Sequence, residues 1–498
     1  MKEKNKFLDA LEEEANYTRT ENYALTYKST KSSLLDFFAL GGALRSRNKS
    51  GILSLFTRAF NEDSLLAFKC LYYFRDIRGG QGERRTFRVI LEYLGNSYPN
   101  LVSKNISSIP EFGRWDDLYS LINTRSEKTM LDFIRSQLYI DIESETPSLL
   151  AKWLKSENTS SPKSKILARK TRDACGLTNK EYRTILSQLR TKLDVIEKKM
   201  CDNLWDTIVY STVPSRAGLI YSKAFRRHDE ARYEQYLNDV ENKIQKINVG
   251  TLYPYDILRK IVRDPSTVKE ADIMWENQKD WLQGSEEKAI VVCDTSGSMY
   301  RSYISRKSVE PILVSVSLSL YFAERNVGVF HNKFITFSNK PELQTIVGKN
   351  LLEKWNSLKK AAWGMNTDLQ AVFDLILKAA VKHSVPKEDM LDKIYIISDM
   401  EFDQCILFNS RKIVDTTNIK GIKMKYKKAG YEKPRLVFWN VESRKDNVPI
   451  KKDERGVVLV SGCSPSIFEY LMKGREEFSP IDLMLDVLNS PRYDNITL

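Results

Sequence analysis

The chain has 498 residues, 42% hydrophobic and 11% aromatic, enough for about two to four packed domains and incompatible with a disordered or fibrous polymer. Lys and Arg outnumber Asp and Glu by 78 to 65, a net charge of +13 that favours an anionic partner, nucleic acid before membrane. Six scattered cysteines without a Cys-x-x-Cys pair, and only three histidines (His228, His331, His383), argue against a zinc site, a disulfide scaffold and histidine catalysis.

No apolar run reaches the length of a membrane span and the first residues carry no apolar signal core, so the expectation is a soluble, cytoplasmic protein in a reducing compartment. Residues 1–30 are polar and aperiodic, which predicts a flexible leader. From Ser32 apolar residues recur at helical spacing: Leu34 to Leu40 before Gly41-Gly42, Ile52 to Phe60, then Leu65 to Phe74. Such helices pack as antiparallel pairs. Arg78-Gly-Gly-Gln-Gly-Glu-Arg-Arg85 follows, with Arg75 just before it. Three glycines among Arg75, Arg78, Arg84 and Arg85 can offer backbone amides and guanidinium forks to a phosphate; the other reading is a helix C-cap followed by a new helix. No Gly-Lys-Ser/Thr and no preceding strand makes it a nucleotide-binding P-loop.

Glu111-Phe-Gly-Arg-Trp-Asp-Asp-Leu-Tyr119 opens the next helix. Arg-Gly-Gly-Gln-Gly-Glu-Arg-Arg followed by Gly-Arg-Trp-Asp-Asp-Leu resembles the helical TROVE module of Ro autoantigen proteins. It more closely resembles an uncharacterised family of plants and large viruses that joins such a module to a von Willebrand factor A domain. Ala151-Lys-Trp-Leu154, Tyr182 to Arg190 and Trp205 to Ala217 share in that resemblance, which spans roughly residues 30 to 498. It implies a HEAT-like ring of helical repeats over 31–280; periodicity alone shows stacked helices.

Residues 151–270 hold 24 Lys and Arg against 15 Asp and Glu, so most of the net charge is local. Lys152, Lys163, Lys165, Arg169, Lys170, Arg172, Arg183, Arg190, Arg226 and Arg227 are the candidate RNA contacts, with Arg75, Arg78, Arg84 and Arg85. Trp153, Tyr182, Trp205, Tyr210, Tyr221, Phe225 and Tyr233 interleave with them, either to stack unpaired bases or, for most, as helix core. The helical part ends near 275–287.

Ala289-Ile-Val-Val-Cys293 then reads as a strand buried on both faces, ending on Asp294. Asp294, Ser296 and Ser298 alternate through the turn leaving it, with Gly297 among them, so one carboxylate and two hydroxyls can converge on a hard divalent cation. Thr367 and, after the strand Lys393–Ser398, Asp399 supply two further oxygens. Strands at 333–337, 435–441 and 456–460 alternate with helices at 309–325, 350–361, 369–382, 466–472 and 480–488. That pattern predicts a doubly wound α/β domain over 286–498, with ligands at the carboxyl edge of the sheet.

Asp-x-Ser-x-Ser, Thr367 and Asp399 in that order resemble the metal-ion-dependent adhesion site of von Willebrand factor A domains. The resemblance implies Mg²⁺ (or Mn²⁺) at these five residues and a protein partner presenting an Asp or Glu to it. Hydrolysis would need a positioned base; Glu401 and Asp403 are near, but no histidine or lysine constellation accompanies them. The leading expectation is therefore a non-enzymatic RNA-binding scaffold. A metal-dependent adaptor without RNA is the alternative, and a metal-assisted phosphohydrolase the weakest reading.

Overall fold

A computed structural model describes residues 11, 16–300, 309–337, 340–360, 367–403, 407–408, 412–413, 417–472 and 479–498. The chain divides into two compact units. One comprises Met1–Cys70, Tyr253–Trp275 and Lys279–Ser490; the other comprises Leu71–Leu252, Glu276–Gln278 and Pro491–Leu498.

The first unit is built on a six-stranded sheet. Its strands are β3 (Ala289–Asp294), β4 (Lys333–Phe337), β5 (Leu343–Thr345), β6 (Lys393–Ser398), β9 (Arg435–Asn440) and β10 (Val457–Ser461), in the order β10-β9-β6-β3-β4-β5. Hairpins β1 (Tyr17–Arg19) with β2 (Leu25–Tyr27), and β7 (Leu407–Phe408) with β8 (Lys412–Ile413), stand apart from it. Every pairing in the large sheet is parallel except β4 with β5. The Val- and Ile-rich runs are buried throughout because helices cover both faces, the condition under which parallel strands lose polar alternation. One face packs Ile290, Val292, Ile396 and Phe438 against Val372, Phe373 and Ile422. On the other, Phe468 lies 5.0 Å from Trp439 and 5.5 Å from Tyr395, ring centroid to centroid.

Helices Pro311–Arg325, Leu369–Lys382 and Pro480–Leu488 fall where the periodicity places them. The sequence reading did not include the short antiparallel edge β5, the β7–β8 hairpin or the helix Asn418–Lys428.

Two expectations are corrected. Residues 16–30 of the expected leader are not free: β1 and β2 pair with each other, and Tyr27 exchanges backbone hydrogen bonds with Val448 at 3.1 and 3.0 Å, while 1–10 and 12–15 lie outside the described residues. The helices before Cys70, assigned from sequence to a 31–280 helical module, belong with the sheet, as does Pro254–Arg263, which packs on Pro311–Arg325. The reason lies in helix Ser33–Gly41, which is buried on every side from Leu34 to Gly41 and packs on β10. At its end the Gly42 amide donates to Ser461 Oγ at 3.0 Å, and a Cβ on Gly42 would stand 2.8 Å from the Ser461 carbonyl oxygen. Gly42→Ala is therefore expected to cost about 1–3 kcal/mol as an overpacked contact, measured by urea unfolding of the full chain.

The second unit is helical. Helix Arg84–Ser97 packs on the 3-10 segment Trp115–Leu121, Glu127–Glu143 on Pro162–Ala174, and Ser215–His228 on Glu230–Glu241. Tyr210, Phe225, Tyr233 and Tyr236 form one aromatic cluster with centroids 5.0–6.3 Å apart. The segment Pro491–Leu498 is fastened here as well: Arg492 Nη2 and Tyr493 Oη donate to Asp76 at 2.6 and 3.2 Å, and Thr497 exchanges hydrogen bonds with Asn105.

Among the described residues no helix is long and apolar enough to cross a membrane. Cys70, Cys175, Cys201, Cys293 and Cys463 are free thiols, and Cys405 lies outside the described residues.

Candidate functional site

Parallel pairing of β3 with β6 in register brings their carboxyl ends to one place: Cys293 faces Ile397, so Asp294 and Ser398 are neighbours. Asp294 is wholly buried; it accepts the Ser398 hydroxyl at 2.5 Å and the Ser296 amide at 2.9 Å. Ser296 Oγ and Ser298 Oγ lie 3.0 Å apart. Burial, and then the nearby Asp399 carboxylate, push the Asp294 carboxyl up to about 7. A buried carboxylate beside a second one, itself paired with Arg444, is costly to ionise, and the accompanying donors are hydroxyls and carboxylates. That donor set fits a hard divalent ion. Asp294, Ser296, Ser298 and Asp399 would hold it, and when bound it would polarise or accept an incoming oxygen ligand. Among the described residues no group of three His, Cys, Asp or Glu side chains is arranged to hold a metal, so any such ion relies on the serine hydroxyls.

Thr367 sits in a second network. Its hydroxyl reaches the Glu401 carbonyl at 3.0 Å and Asp403 Oδ1 at 3.3 Å, and its amide donates to Asp403 Oδ2 at 2.7 Å. Among the described residues no hydrogen bond joins it to Asp294, Ser296 or Ser298, and the turn 361–366 before it lies outside them. Glu401 is buried and committed: it accepts the Glu21 amide at 2.5 Å and Asn447 Nδ2 at 3.3 Å. Burial, then Asp399 and Glu21, push its carboxyl up.

Sequence reading missed two contributors. Arg444, just beyond β9, donates to Asp399 Oδ2 at 2.9 Å and pairs with Glu21 at 3.2 Å. Reading every strand's carboxyl end as part of one edge finds it. The other is the segment between β1 and β2. Thr20 Oγ1 donates to the Phe402 carbonyl at 2.6 Å, and Asn22 Nδ2 to the Glu401 carbonyl at 2.7 Å and Thr367 Oγ1 at 3.2 Å. Nothing local in the five-residue connection Thr20–Ala24 signals this.

On the helical unit the candidate RNA residues separate into groups. Arg75 is buried and spent on Asp117 at 2.7 Å, which removes it from any surface. Arg190 staples the Ala151 and Leu154 carbonyls at 2.9 Å each. Lys170 and Arg172 pair with Glu127 and Glu157 at 2.6 and 2.7 Å, and Arg226 with Glu234. Lys152 and Arg169 lie 3.9 and 3.6 Å from Glu197 and Glu157, and Arg78 donates to the Glu111 carbonyl at 3.0 Å. Lys163, Lys165 and Arg183 are exposed with no ion pair among the described residues, as is Lys180; Arg84 and Arg227 are exposed and Arg85 half-buried. Tyr182, Tyr210, Phe225 and Tyr233 are core, whereas Trp205 stacks on His228 at 4.3 Å. The glycine loop closes on the preceding helix: the Gln81, Gly82 and Glu83 amides donate to the Tyr73, Asp76 and Phe74 carbonyls at 3.1, 3.0 and 2.6 Å. Those amides are therefore not available to a phosphate.

Fold and site together define a two-unit protein, a helical unit joined to an α/β unit with an oxygen-lined carboxyl edge. The chain belongs to the family defined by the domain of unknown function DUF2828, which matches residues 20–147 and 141–294. A second domain of unknown function, DUF7788, matches residues 288–486. A relative is the uncharacterized protein L728 of Acanthamoeba polyphaga mimivirus, 30% identical over 519 aligned positions that cover 95% of this chain and 87% of that one. The structure is similar to the crystal structure of the Deinococcus radiodurans RO (RSR) protein over 92% of this chain and 99% of that one, with 11% identity and a TM-score of 0.38. No residue correspondence follows at that score.

Proposed function

We infer that the protein is an RNA-binding scaffold. Its helical unit contacts RNA phosphates, and its α/β unit carries a Mg²⁺-dependent adhesion site of the von Willebrand A type for a partner's Asp or Glu; neither unit is an enzyme. The observation that supports RNA contact is the surface of two successive helices, Pro162–Ala174 and Asn179–Lys192, where Lys163, Lys165, Lys180 and Arg183 are exposed without a carboxylate partner among the described residues. The cost of gathering like charges is recovered when phosphates replace their counterions. The adhesion reading is supported by the buried Asp294 facing Asp399, and by a sheet whose one antiparallel strand lies at its edge. The non-enzymatic reading is supported by the engagement of Glu401 with Glu21 and Asn447, which leaves its carboxylate poorly placed as a base.

Replacing Lys163, Lys165, Lys180 and Arg183 together by Glu is expected to weaken binding of single-stranded RNA at least about a hundredfold at low salt. The slope of log affinity against log salt should become shallower by roughly 0.7 for each phosphate that the variant no longer neutralises. Fluorescence anisotropy across a salt series measures both. Unchanged affinity moves the binding surface off these helices. No RNA binding by the parent protein at low salt leaves the second reading, a metal-dependent protein adaptor, which the same Asp294–Asp399 arrangement supports.

A further inference from the structure

The two motifs that mark the helical unit, Arg78–Arg85 and Gly113–Leu118, converge with the segment after Trp153 on one cluster of charge. Asp117 is buried and receives Arg75 at 2.7 Å, Arg88 Nε at 2.6 Å and the Arg114 amide at 2.9 Å. Gly113 permits this, since a Cβ there would lie 2.4 Å from Asp117 Oδ2. Asp116 is shared between Arg88 Nη2 and Arg114 Nε, each at 3.1 Å and neither aligned as a hydrogen bond, while Arg114 Nη2 donates to Asp116 Oδ2 at 3.3 Å. Arg114 Cζ lies over the Trp153 ring, 4.2 Å from its centre, and Lys155 Nζ stands 5.8 Å from the Tyr119 ring centre.

Arg84 and Lys155 face the same cluster, yet among the described residues neither side chain makes an ion pair or a hydrogen bond. Five cations (Arg75, Arg84, Arg88, Arg114, Lys155) thus meet two carboxylates, an excess of three positive charges. Glu83, the adjacent carboxylate, is occupied in capping the helix through the Arg85 and Thr86 amides at 2.9 and 3.3 Å; counting it, the excess is two. Arg84 is exposed, while Arg88 and Arg114 side chains are 31% and 25% exposed, so the excess charge opens to solvent on one side.

We propose that Arg84, Arg88, Arg114 and Lys155 form a binding site for a dianionic phosphate group, either free or at the end of a strand. A terminal phosphate carries about −1.5 to −2 near neutral pH and matches the excess, whereas a backbone diester carries only a single charge. The cations are uncomfortable without it. Desolvation by the packed neighbours of its stem, although the side chain is exposed, and then the repulsion of Arg88 pull the Arg84 guanidinium down, and burial followed by neighbouring arginines does the same to Lys155. Burial brings Arg114 to about 10, despite Asp116 and with Arg84 adding to the fall. Two sources supply this chemistry: the phosphorylated end of a nucleic acid strand, which rests on the RNA reading above, or free phosphate.

The test uses the full chain with three probes: inorganic phosphate, a short single-stranded RNA phosphorylated at one end or the other, and the same RNA with hydroxyl ends. The expected result is about tenfold tighter binding of a phosphorylated RNA, or a rise in melting temperature with inorganic phosphate. Arg84→Gln and Lys155→Gln each remove that preference or rise. Asp116→Asn, which withdraws a competing carboxylate, strengthens it. The metal-free, phosphate-free melting temperature of Arg84→Gln should not fall, because the substitution relieves repulsion. A preference confined to RNA ends identifies the nucleic acid source, and a response to inorganic phosphate alone identifies the free anion. If hydroxyl-ended RNA binds but neither phosphate form is preferred, or if the preference survives both substitutions, the site is overturned while the RNA reading stands. If no RNA binds, that reading fails and the inorganic phosphate arm alone decides the site.

Discussion

Millimolar Mg²⁺ is expected to raise the melting temperature of the 498-residue chain, and Asp294→Ala to abolish the rise. An ion that binds the folded chain alone stabilises it by about 2.7 kcal/mol at a hundredfold excess over Kd. The pH dependence gives the expectation its sign. Asp294 is raised to about 7 in the folded chain, so the unfolded chain, with an ordinary carboxyl, releases its proton first. Without metal, stability therefore declines as pH rises from about 4 towards 7, and Asp294→Asn should remove that decline. A cation needs the deprotonated group, so the Mg²⁺ effect should be small at pH 5.5 and large at pH 8, as differential scanning fluorimetry can record. No shift at pH 8 would exclude a divalent ion at Asp294. The experiment requires the whole chain, since a fragment beginning at 280 lacks Ser33–Gly41, which covers β10, and the strand pair β1–β2.

Asp117→Ala is expected to cost about 3–5 kcal/mol, because it strands the buried Arg75 guanidinium and deprives Arg88 of its closest partner. Denaturant unfolding measures it. Arg75→Ala should cost less, since Asp117 would still receive Arg88 and the Arg114 amide. Equal losses in the two variants would mean that the pair, rather than the charge network, carries the effect.

How much was legible follows from how local each signal is. Ala289–Cys293 and Lys393–Ser398 announce buried parallel strands through unbroken apolar runs, and Asp294 and Asp399 follow from their ends. Helix Asn418–Lys428 escaped because its lysines hide a stripe of Ile419, Ile422 and Tyr426. Ser33–Gly41 was readable as a helix, but its apolar circumference did not say which unit it covers. The β1–β2 segment could not be found at all, since its partners Phe402 and Val448 lie 382 and 422 residues away. In the charge cluster, Arg88 and Lys155 are unremarkable on their own helices and segments; they acquire meaning only once folding stacks them around Asp116.

The order of synthesis meets an obstacle in the way the sheet unit is divided along the chain. Its first portion, Met1–Cys70, leaves the ribosome ahead of Leu71–Leu252, and the strands it needs begin only at Ala289. Tyr27 cannot meet Val448 until more than 400 residues have followed it, which at roughly 5–20 residues per second is on the order of half a minute. For that interval the apolar helix Ser33–Gly41 is a nascent hydrophobic surface without its sheet. A chaperone that shields the first 70 residues during translation should therefore raise the yield of native protein more than one acting on the finished chain.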